Sequence, residues 1–531
     1  MRFHWLWKVI FISWALAFSG CSNNFAANDF ASSGPAASES EYNVDPISIS
    51  NPLHVKIKAK FYYRELTFDA NDASISGLGS VTTSPVAIPF AEFHVFDSLG
   101  TQIQRGETDT SGIASFDIPK TPGTYTLTVY SRAYNDYVKV SVLQDTYANQ
   151  PYSISKDFTI ASSDIAAGTK DLSVSTSPSD MVLAQADEKV APKLEGGAFN
   201  IFFDILLANE YIRNQIGKNI MVSGAPSTVA NEWWVADKVT VYWKMGFNPR
   251  SYFSNDGAGL SFYSTGTNKL YILGGLNGDV KTSDTDHFDD SIILHEYGHF
   301  LEDNYGSTGS PGGSHNGNFV IDPRLAWSEG WANYFQAAVL SGASNASNSL
   351  ADGHIPTDSH FHYYVDTIGY KSSSSDSAAG IGIAFDLTSP GSSSTYDNTA
   401  ADIAGTGTFR ELSISRTLYK SSRSSSETYA TGKNGGGISF SKIWMTFSGE
   451  DKATSKDRSN PTATSLRDKN TYPIPNAGLF NYLLSQNATI TTDWTNILTE
   501  EKQKASTADY AFYVDTTASG TCNFSFTGPK T

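Results

Sequence analysis

The sequence predicts a multidomain protein, with an all-β sandwich followed by an α+β region whose second half is mainly helical. Three observations lead to this prediction. Apolar and polar residues alternate between about 53 and 160, helix-like apolar spacing begins near residue 200, and a chain of 531 residues is long enough for two or three domains. The aromatic content of 13% and the charged content of 17% are typical of a large globular protein.

The first segment, residues 1–20, has the layout of an export signal. Basic residues precede an apolar stretch from Val9 to Phe18, which is too short to form a stable membrane span. Small residues stand directly before Cys21, and this ending resembles a bacterial lipobox. The resemblance implies cleavage before Cys21, its lipidation, and an anchored location in the cell envelope, at the outer membrane or cell surface. Residues 21–52, rich in Ser, Asn and Ala, are predicted to be a flexible tether.

Residues 53–160 are predicted to form the β-sandwich. Turns with the sequences Ser-Leu-Gly, Asp-Thr-Ser-Gly and Thr-Pro-Gly separate the alternating runs. The order of strands and turns resembles the carboxypeptidase-regulatory and transthyretin-like modules of surface proteins. That resemblance leaves ligand binding, substrate docking and a spacer role open. The predicted strands are 55–61, 91–96, 114–118 and 125–130.

Composition limits the cross-links and partners of the chain. Cys21 and Cys522 are the only cysteines, so a chain acylated at the first is expected to fold without disulfides. The formal charge of −17 disfavours nucleic acid as a partner, and we expect a monomer. Residues 161–195, rich in Ser, Ala, Asp and Lys, are predicted to be a linker, after which a helix at 200–216 opens the last domain, 196–531.

The last domain contains the motif with the clearest chemistry. His295 and His299 are four residues apart, so on a helix their imidazoles lie on one face and can bind one ion. Zinc suits this arrangement, and Glu296 is placed to take a proton from a water molecule at the open coordination position. Acidic residues before the motif and glycines after it predict a single helix around it. The sequence therefore predicts a zinc hydrolase.

A tetrahedral zinc site with one open position needs a third protein ligand. Glu302 follows His299 on the same helix and is better placed to orient a ligand, whereas Asp322 is possible but sits in a turn. Glu329 is the best candidate, because its segment is predicted to be a helix that is apolar almost all round. A carboxylate there costs on the order of several kcal/mol unless it has a partner. Asn333, one turn further on, either accepts the ring N–H of a ligand histidine or is an ordinary polar helix position.

The stretch 284–340 resembles the gluzincin metallopeptidases, which have HExxH on one helix and a glutamate on a following helix. It also resembles bacterial envelope proteins with His-Glu-x-Gly-His and Ala-x-x-Glu-Gly-Trp. The resemblance implies a zincin-like metallopeptidase domain, zinc bound by His295, His299 and Glu329, and Glu296 as general base. The chain departs from this class in its longer interval between His299 and Glu329. It also lacks the Gly-x-Met-Glu-Asn motif that precedes HExxH in aminopeptidases.

Peptide hydrolysis through a zinc-activated water also needs a donor that stabilises the oxyanion of the tetrahedral intermediate. His315, Tyr396 and Tyr419 are candidates, although any single tyrosine can equally be a packing residue. We predict His315 and Tyr419 as catalytic residues beside Glu296.

Two further segments lie close to the motif in sequence. A strand predicted at 269–273 offers a sheet edge on which an extended peptide can pair, unless it is an interior strand. The aspartates between Asp279 and Asp290 are interpreted as a solvated helix N-terminus rather than a calcium loop, because they lack the regular spacing of such a loop.

Two functions from different classes remain open. The first is a lipid-anchored zinc metallopeptidase, an endopeptidase that acts on peptide or protein substrates. The second is a surface-tethered binding protein with a structural metal site and a ligand-binding β-sandwich. Glu296 favours the peptidase, because a purely structural site needs ligands but no base.

Overall fold

The computed structural model describes residues 42–505, except for short internal segments. The predicted export signal, most of the predicted tether, Cys21, Tyr396 and Cys522 lie outside the described residues. Within the described residues, no helix combines the length and the apolar character needed to cross a membrane. The segments left out are 69–74, 145, 147–148, 192, 218–232, 254–258, 277, 307, 316–318, 344–361, 371–379, 390–404, 430–431 and 449–473.

Sheets dominate the N-terminal part and helices the later part, which confirms the prediction of a mixed α/β multidomain chain. The strands are β1 Leu53–Phe61, β2 Arg64–Phe68, β3 Ile75–Val81, β4 Val86–Ala87, β5 Glu92–Phe96, β6 Gln102–Glu107, β7 Ile113–Ile118, β8 Gly123–Tyr130, β9 Arg132–Tyr134, β10 Lys139–Leu143, β11 Ser153–Ile160, β12 Thr169–Asp171, β13 Val182–Ala184, β14 Val239–Tyr242, β15 Phe262–Ser264, β16 Lys269–Tyr271, β17 Tyr363–Ile368 and β18 Gly380–Asp386. The helices are α1 Ser162–Ala167, α2 Glu195–Gln215, α3 Pro249–Phe253, α4 Asp290–Tyr305, α5 Pro323–Ala343, α6 Glu411–Ser422, α7 Phe440–Ser448, α8 Ala477–Asn487 and α9 Thr492–Glu500.

Two sheets face each other in the N-terminal part. In one sheet β1 is the central strand and pairs with β4, β7, β12 and β13, and the other has the order β11-β8-β5-β6. Burial alternates along β1 from Leu53 to Phe61, as its sequence pattern predicts. Aromatic rings join the two sheets, because Phe116 of β7 packs on Phe93 and on Phe158 at centroid distances of 5.6 and 5.9 Å. All four predicted strands of this region are confirmed.

The predicted linker at 161–195 is wrong, because this segment is part of the fold. It contains α1, a single 3₁₀ turn at Pro178–Asp180 and two strands that pair with β1 in parallel. Its Ser-rich and Asp-rich composition reflects short strands joined by turns, in which these side chains hydrogen-bond nearby backbone groups. Asp171, for example, accepts a hydrogen bond from the N–H of Ser173.

A third sheet joins the N-terminal part to the part that carries the motif. Its order is β15-β16-β14-β10-β9, and β10 pairs with β14 in parallel from Val140–Val239 to Leu143–Tyr242. The predicted substrate-pairing edge at 269–273 is therefore wrong. Among the described strands, β16 lies between β14 and β15, so β15 is the edge strand on that side.

Helix α4, which carries the HExxH motif, packs against strands β15 and β16 of the third sheet. α2, predicted at 200–216, runs from Glu195 to Gln215 and is buried along nearly its whole length. α4 packs against α2 and α5, and α5 packs against α6. One continuous hydrophobic core includes side chains of the strands and of these helices, from Leu53 to Leu498.

Candidate metal centre

The HExxH motif lies on α4, as predicted. The helix is almost wholly buried from Ser291 to Glu302, including both histidines and Glu296. Gly298 is the residue that lets α5 approach, because a Cβ added there would meet the Cα of Ala332 at 3.1 Å. This close approach brings Glu329 of α5 to the two histidines.

Three ligand atoms form a nearly equilateral triangle at this contact. The Nε2 atoms of His295 and His299 are 3.2 Å apart, and Oε2 of Glu329 lies 3.3 Å from the first and 3.2 Å from the second. Ligands bound to zinc at 2.0–2.1 Å with tetrahedral angles are about 3.3 Å apart. The described side chains therefore fit one zinc ion with a fourth position left over, and all three are at most 3% exposed.

The charges of Glu329 and His299 depend on each other. Burial opposes ionisation of Glu329, but the positive charges of His315 and His299 hold the pKa of this carboxyl well below its usual value. Burial also lowers the pKa of His299, yet the carboxylates of Glu329 and Glu302 raise it well above its ordinary value. Without a cation, protons on histidines therefore balance the buried carboxylate.

Glu302 orients His299, as its position in the sequence suggested. Its Oε2 lies 3.2 Å from Nδ1 of His299 and accepts a hydrogen bond from Ser328 at 2.6 Å, while Thr308 donates to Oε1. The predicted contact of Asn333 with a ligand histidine is wrong. Asn333 is buried on α5, but its side chain hydrogen-bonds neither ring. Glu302 lies at Nδ1 of His299, and Nδ1 of His295 has no hydrogen-bond partner among the described residues.

Glu296 is held from the edge strand of the third sheet. The backbone N–H of Tyr263 in β15 donates to Oε2 of Glu296 at 2.8 Å. Glu296 is 1% exposed and is not one of the three ligands. This places a carboxylate beside the three ligands and next to a sheet edge.

His315, predicted as a catalytic residue, borders the triangle. Its Nε2 lies 3.3 Å from Oε1 of Glu329, the oxygen that does not face the other histidines, and its Nδ1 lies 2.7 Å from Glu411 of α6. Both are ion-pair distances without hydrogen-bond geometry. Burial opposes protonation, but Glu329 and Glu411 raise the pKa of His315 to about 9. His315 is therefore a cation at neutral pH when no metal is bound.

Tyr419, the other predicted oxyanion donor, is in the wrong place for that role. It is buried on α6, with its hydroxyl 3.3 Å from Oγ of Ser341 and its ring beneath Arg423. Ser341 is twelve residues beyond Glu329 on α5, which is about 18 Å along a helix. Tyr419 is therefore a packing residue. Asp322 is also excluded as a ligand, because it pairs with Arg324 at 2.8 Å.

Several contributors were not predicted from the sequence. No sequence motif marks the backbone N–H of Tyr263 or the carboxylate of Glu411. Both groups reach the site only through contacts between elements that are distant in the chain. Tyr364 of β17 lies with its ring 5.4 Å from the ring of His295. The interpretation of the aspartates as a solvated helix N-terminus is wrong for Asp286 and Asp289, which are each only 4% exposed.

Comparison of the chain with protein-family models, with curated proteins and with solved structures gave no match. The described residues bring together a three-ligand set of two histidines and a glutamate, a carboxylate beside it, and a sheet edge next to that carboxylate.

Proposed function

We propose that this protein is a zinc-dependent endopeptidase with a gluzincin-type site, anchored in the bacterial envelope through Cys21. One observation carries the proposal: a ligand triangle with sides of 3.2–3.3 Å stands beside a buried glutamate that belongs to the same helix but not to the triangle. A structural site has no use for such a glutamate.

His295, His299 and Glu329 would hold the zinc ion. When bound, zinc supplies a Lewis acid that polarises a substrate carbonyl and lowers the pKa of a water molecule. Glu296 acts as the base, since the Tyr263 N–H fixes its orientation through one oxygen. It takes a proton from the attacking water and passes it to the leaving amine. We assign stabilisation of the oxyanion to His315, which lies 3.3 Å from Glu329 and 2.7 Å from Glu411.

The edge strand β15 supports an endopeptidase in particular. An extended peptide can add to a sheet edge through backbone hydrogen bonds, and β15 carries the residue that contacts Glu296. Pairing of this kind recognises the middle of a chain and needs no group that binds a terminus. The proposed substrate is therefore an extended segment of a peptide or unfolded protein.

The test is metal content and hydrolysis of fluorescent casein by the full chain, beside Glu296→Gln. We expect about one zinc per chain in both proteins and a loss of about 10²- to 10⁴-fold in activity for the variant. Glu92→Gln, which changes a buried glutamate of β5, controls for the general effect of losing such a carboxylate. Wild-type protein without zinc, or equal activity in the Glu296 variant, would refute the peptidase.

A structural metal site in a binding protein is the second candidate, and the burial of all three ligands favours it. In that case the ion stabilises the fold and hydrolysis does not depend on it. The casein assay separates the two functions. The peptidase predicts hydrolysis that His315→Asn lowers by about 10²-fold or more with zinc retained, whereas a structural site predicts bound zinc and no hydrolysis by the wild type.

A further inference from the structure

A second convergence of charged side chains lies outside the zinc triangle. Asp284 and Asp286 stand in the segment before α4, and Asp366 belongs to β17. One carboxylate oxygen from each lies within 4.8 Å of the other two. The backbone holds them together, because Asp284 forms an isolated β-bridge with Ile368. Asp286 is 4% exposed, and the other two are half-buried.

Each of the three carboxylates has one oxygen without a partner. Oδ1 of Asp284, of Asp286 and of Asp366 is buried and accepts no hydrogen bond from the described residues. No described lysine or arginine forms an ion pair with them. A buried carboxylate oxygen that lacks a donor is strongly destabilising, so native proteins supply one or bind a cation there.

Asp289, which is close to the cluster in sequence, has a hydrogen-bond donor for each carboxylate oxygen. Asp289 is buried to the same extent as Asp286, and both of its oxygens accept hydrogen bonds from Thr367 at 2.8–2.9 Å. Asp286 has a donor for Oδ2 only, the hydroxyl of Ser261. Asp286 thus keeps one buried oxygen without a donor, whereas Asp289, equally buried, keeps none.

The electrostatics of the cluster agree with a missing positive charge. Burial and then the neighbouring carboxylates raise the pKa values of Asp284 and Asp286 well above the ordinary value. Burial raises the pKa of Asp366 to about 7. A divalent cation would restore three ionised carboxylates, because it supplies the charge that the surrounding residues do not.

We propose that Asp284, Asp286 and Asp366 bind a calcium ion. All the available ligand atoms are oxygens, which calcium prefers, whereas zinc prefers nitrogen and sulfur. Calcium binds oxygen at 2.3–2.6 Å, so two of its ligands can be up to about 5 Å apart, and the cluster lies within that limit. Water molecules would complete the coordination.

The proposed ion has a structural task that follows from the elements it joins. It ties the segment before α4 to the β17–β18 hairpin. Through Ser261, which also accepts the N–H of Leu273, it ties both to the segment that leads into β15. β15 in turn holds Glu296. The proposed calcium site shares no ligand with the zinc site, so failure of one proposal leaves the other unaffected.

The test is calcium binding to the full chain after removal of metals with a chelator and reloading with one equivalent of zinc. Titration with calcium chloride in a calorimeter is expected to show one site per chain. Asp286→Asn and Asp366→Asn are each expected to raise the calcium Kd at least tenfold and to abolish the rise in Tm that calcium causes in the wild type. Zinc content is expected to stay unchanged.

Asp204→Asn is the matched control, because Asp204 is a buried aspartate with an unpartnered oxygen that lies in α2, outside the cluster. It is expected to keep wild-type calcium binding. No calcium binding by the wild type at 1 mM calcium chloride, or equal binding by the Asp286 and Asp366 variants, would overturn the proposal. Because a variant could misfold, each is checked by circular dichroism, and the half-buried Asp284→Asn provides a third, milder change.

Discussion

The carboxylate of Glu329 is neutralised in two different ways, depending on whether a cation is bound. Without one, protons on His299 and His315 balance it, since their pKa values are raised. Zinc binds neutral imidazole, so the ion must displace the proton from His299. The ligand set is thus a site for protons or for a metal, but not for both at once.

This exchange predicts that zinc affinity depends steeply on pH. At pH values below the raised pKa of His299, zinc must displace a proton in order to bind. Each displaced proton lowers the zinc affinity about tenfold for every unit by which the pH falls. We expect the zinc Kd, measured by competition with a chromophoric chelator, to rise by at least about tenfold between pH 7 and pH 6. Calorimetry in buffers of different ionisation enthalpy should detect the released protons. A Kd that stays constant over this range would show that the histidines are already neutral in the metal-free protein.

Individual site residues could be predicted where local spacing determines the geometry. His295, Glu296 and His299 follow from the helical period, and Glu329 follows because a carboxylate on an apolar helix needs a partner. For Asn333 the helical position left a ring contact and an ordinary polar position open, and it does not reveal that Glu302 takes Nδ1 of His299. Tyr419 could not be judged, since the sequence does not say which end of α5 meets α6.

The packing of α5 on α6 depends on a glycine beside a metal ligand. A Cβ added at Gly330 would lie 2.6 Å from Cβ and Cγ2 of Ile414. The Cβ of Ile414 is attached directly to the backbone of α6, so it cannot move away unless α6 moves. Gly330 follows Glu329 directly, so any shift of α5 also displaces the ligand. The glycine of the Glu-Gly-Trp sequence is thus explained by packing rather than by chemistry.

We predict that Gly330→Ala lowers the free energy of unfolding by about 1–3 kcal/mol through overpacking, although alanine favours a helix by about 1 kcal/mol. Zinc affinity should fall as well. Gly478→Ala in α8 is the control, because the nearest atom to its added Cβ is the side-chain oxygen of Asn476 at 3.3 Å. Urea unfolding of both variants measures the difference, and equal stability of the two would show that α5 and α6 can move apart freely.

Strands with period two and the long helices were predictable one element at a time. The order of strands in a sheet was not, because it depends on partners that are far away in the chain. β16 has the sequence of a buried strand, yet only its pairing with β14 and β15 shows that it is interior. The segment 161–195 was misjudged for a related reason, since three-residue strands are too short to show a period.

At the scale of the described residues, the third sheet connects the N-terminal strands to the part that carries the metal centre. β10 lies between β9 and β14, so strands from before residue 160 form part of the sheet behind the metal centre. Side chains strengthen this connection, because Tyr152 donates to the carbonyl of Trp243 at 3.0 Å and Trp233 donates to that of Asp136 at 2.5 Å.

This arrangement predicts that residues 196–531 do not fold alone. Without β9 and β10, β14 becomes an exposed edge, and the core loses the apolar side chains that the N-terminal strands supply. We expect this fragment to aggregate and to bind no stoichiometric zinc, whereas the full chain unfolds in one thermal transition. Size-exclusion chromatography and metal analysis of both proteins make the comparison. A monomeric, zinc-loaded fragment would establish the catalytic part as an independent domain.

The pairing of β10 with β14 also bears on how such a gene can change over time. The four matched positions from Val140–Val239 to Leu143–Tyr242 couple codons that are about a hundred positions apart. A recombination event that joins the first 160 residues of one gene to the remainder of another brings together two strands that were never selected to pair. The protein is therefore expected to be inherited as one block, and shuffling of its halves as separate cassettes should be counter-selected.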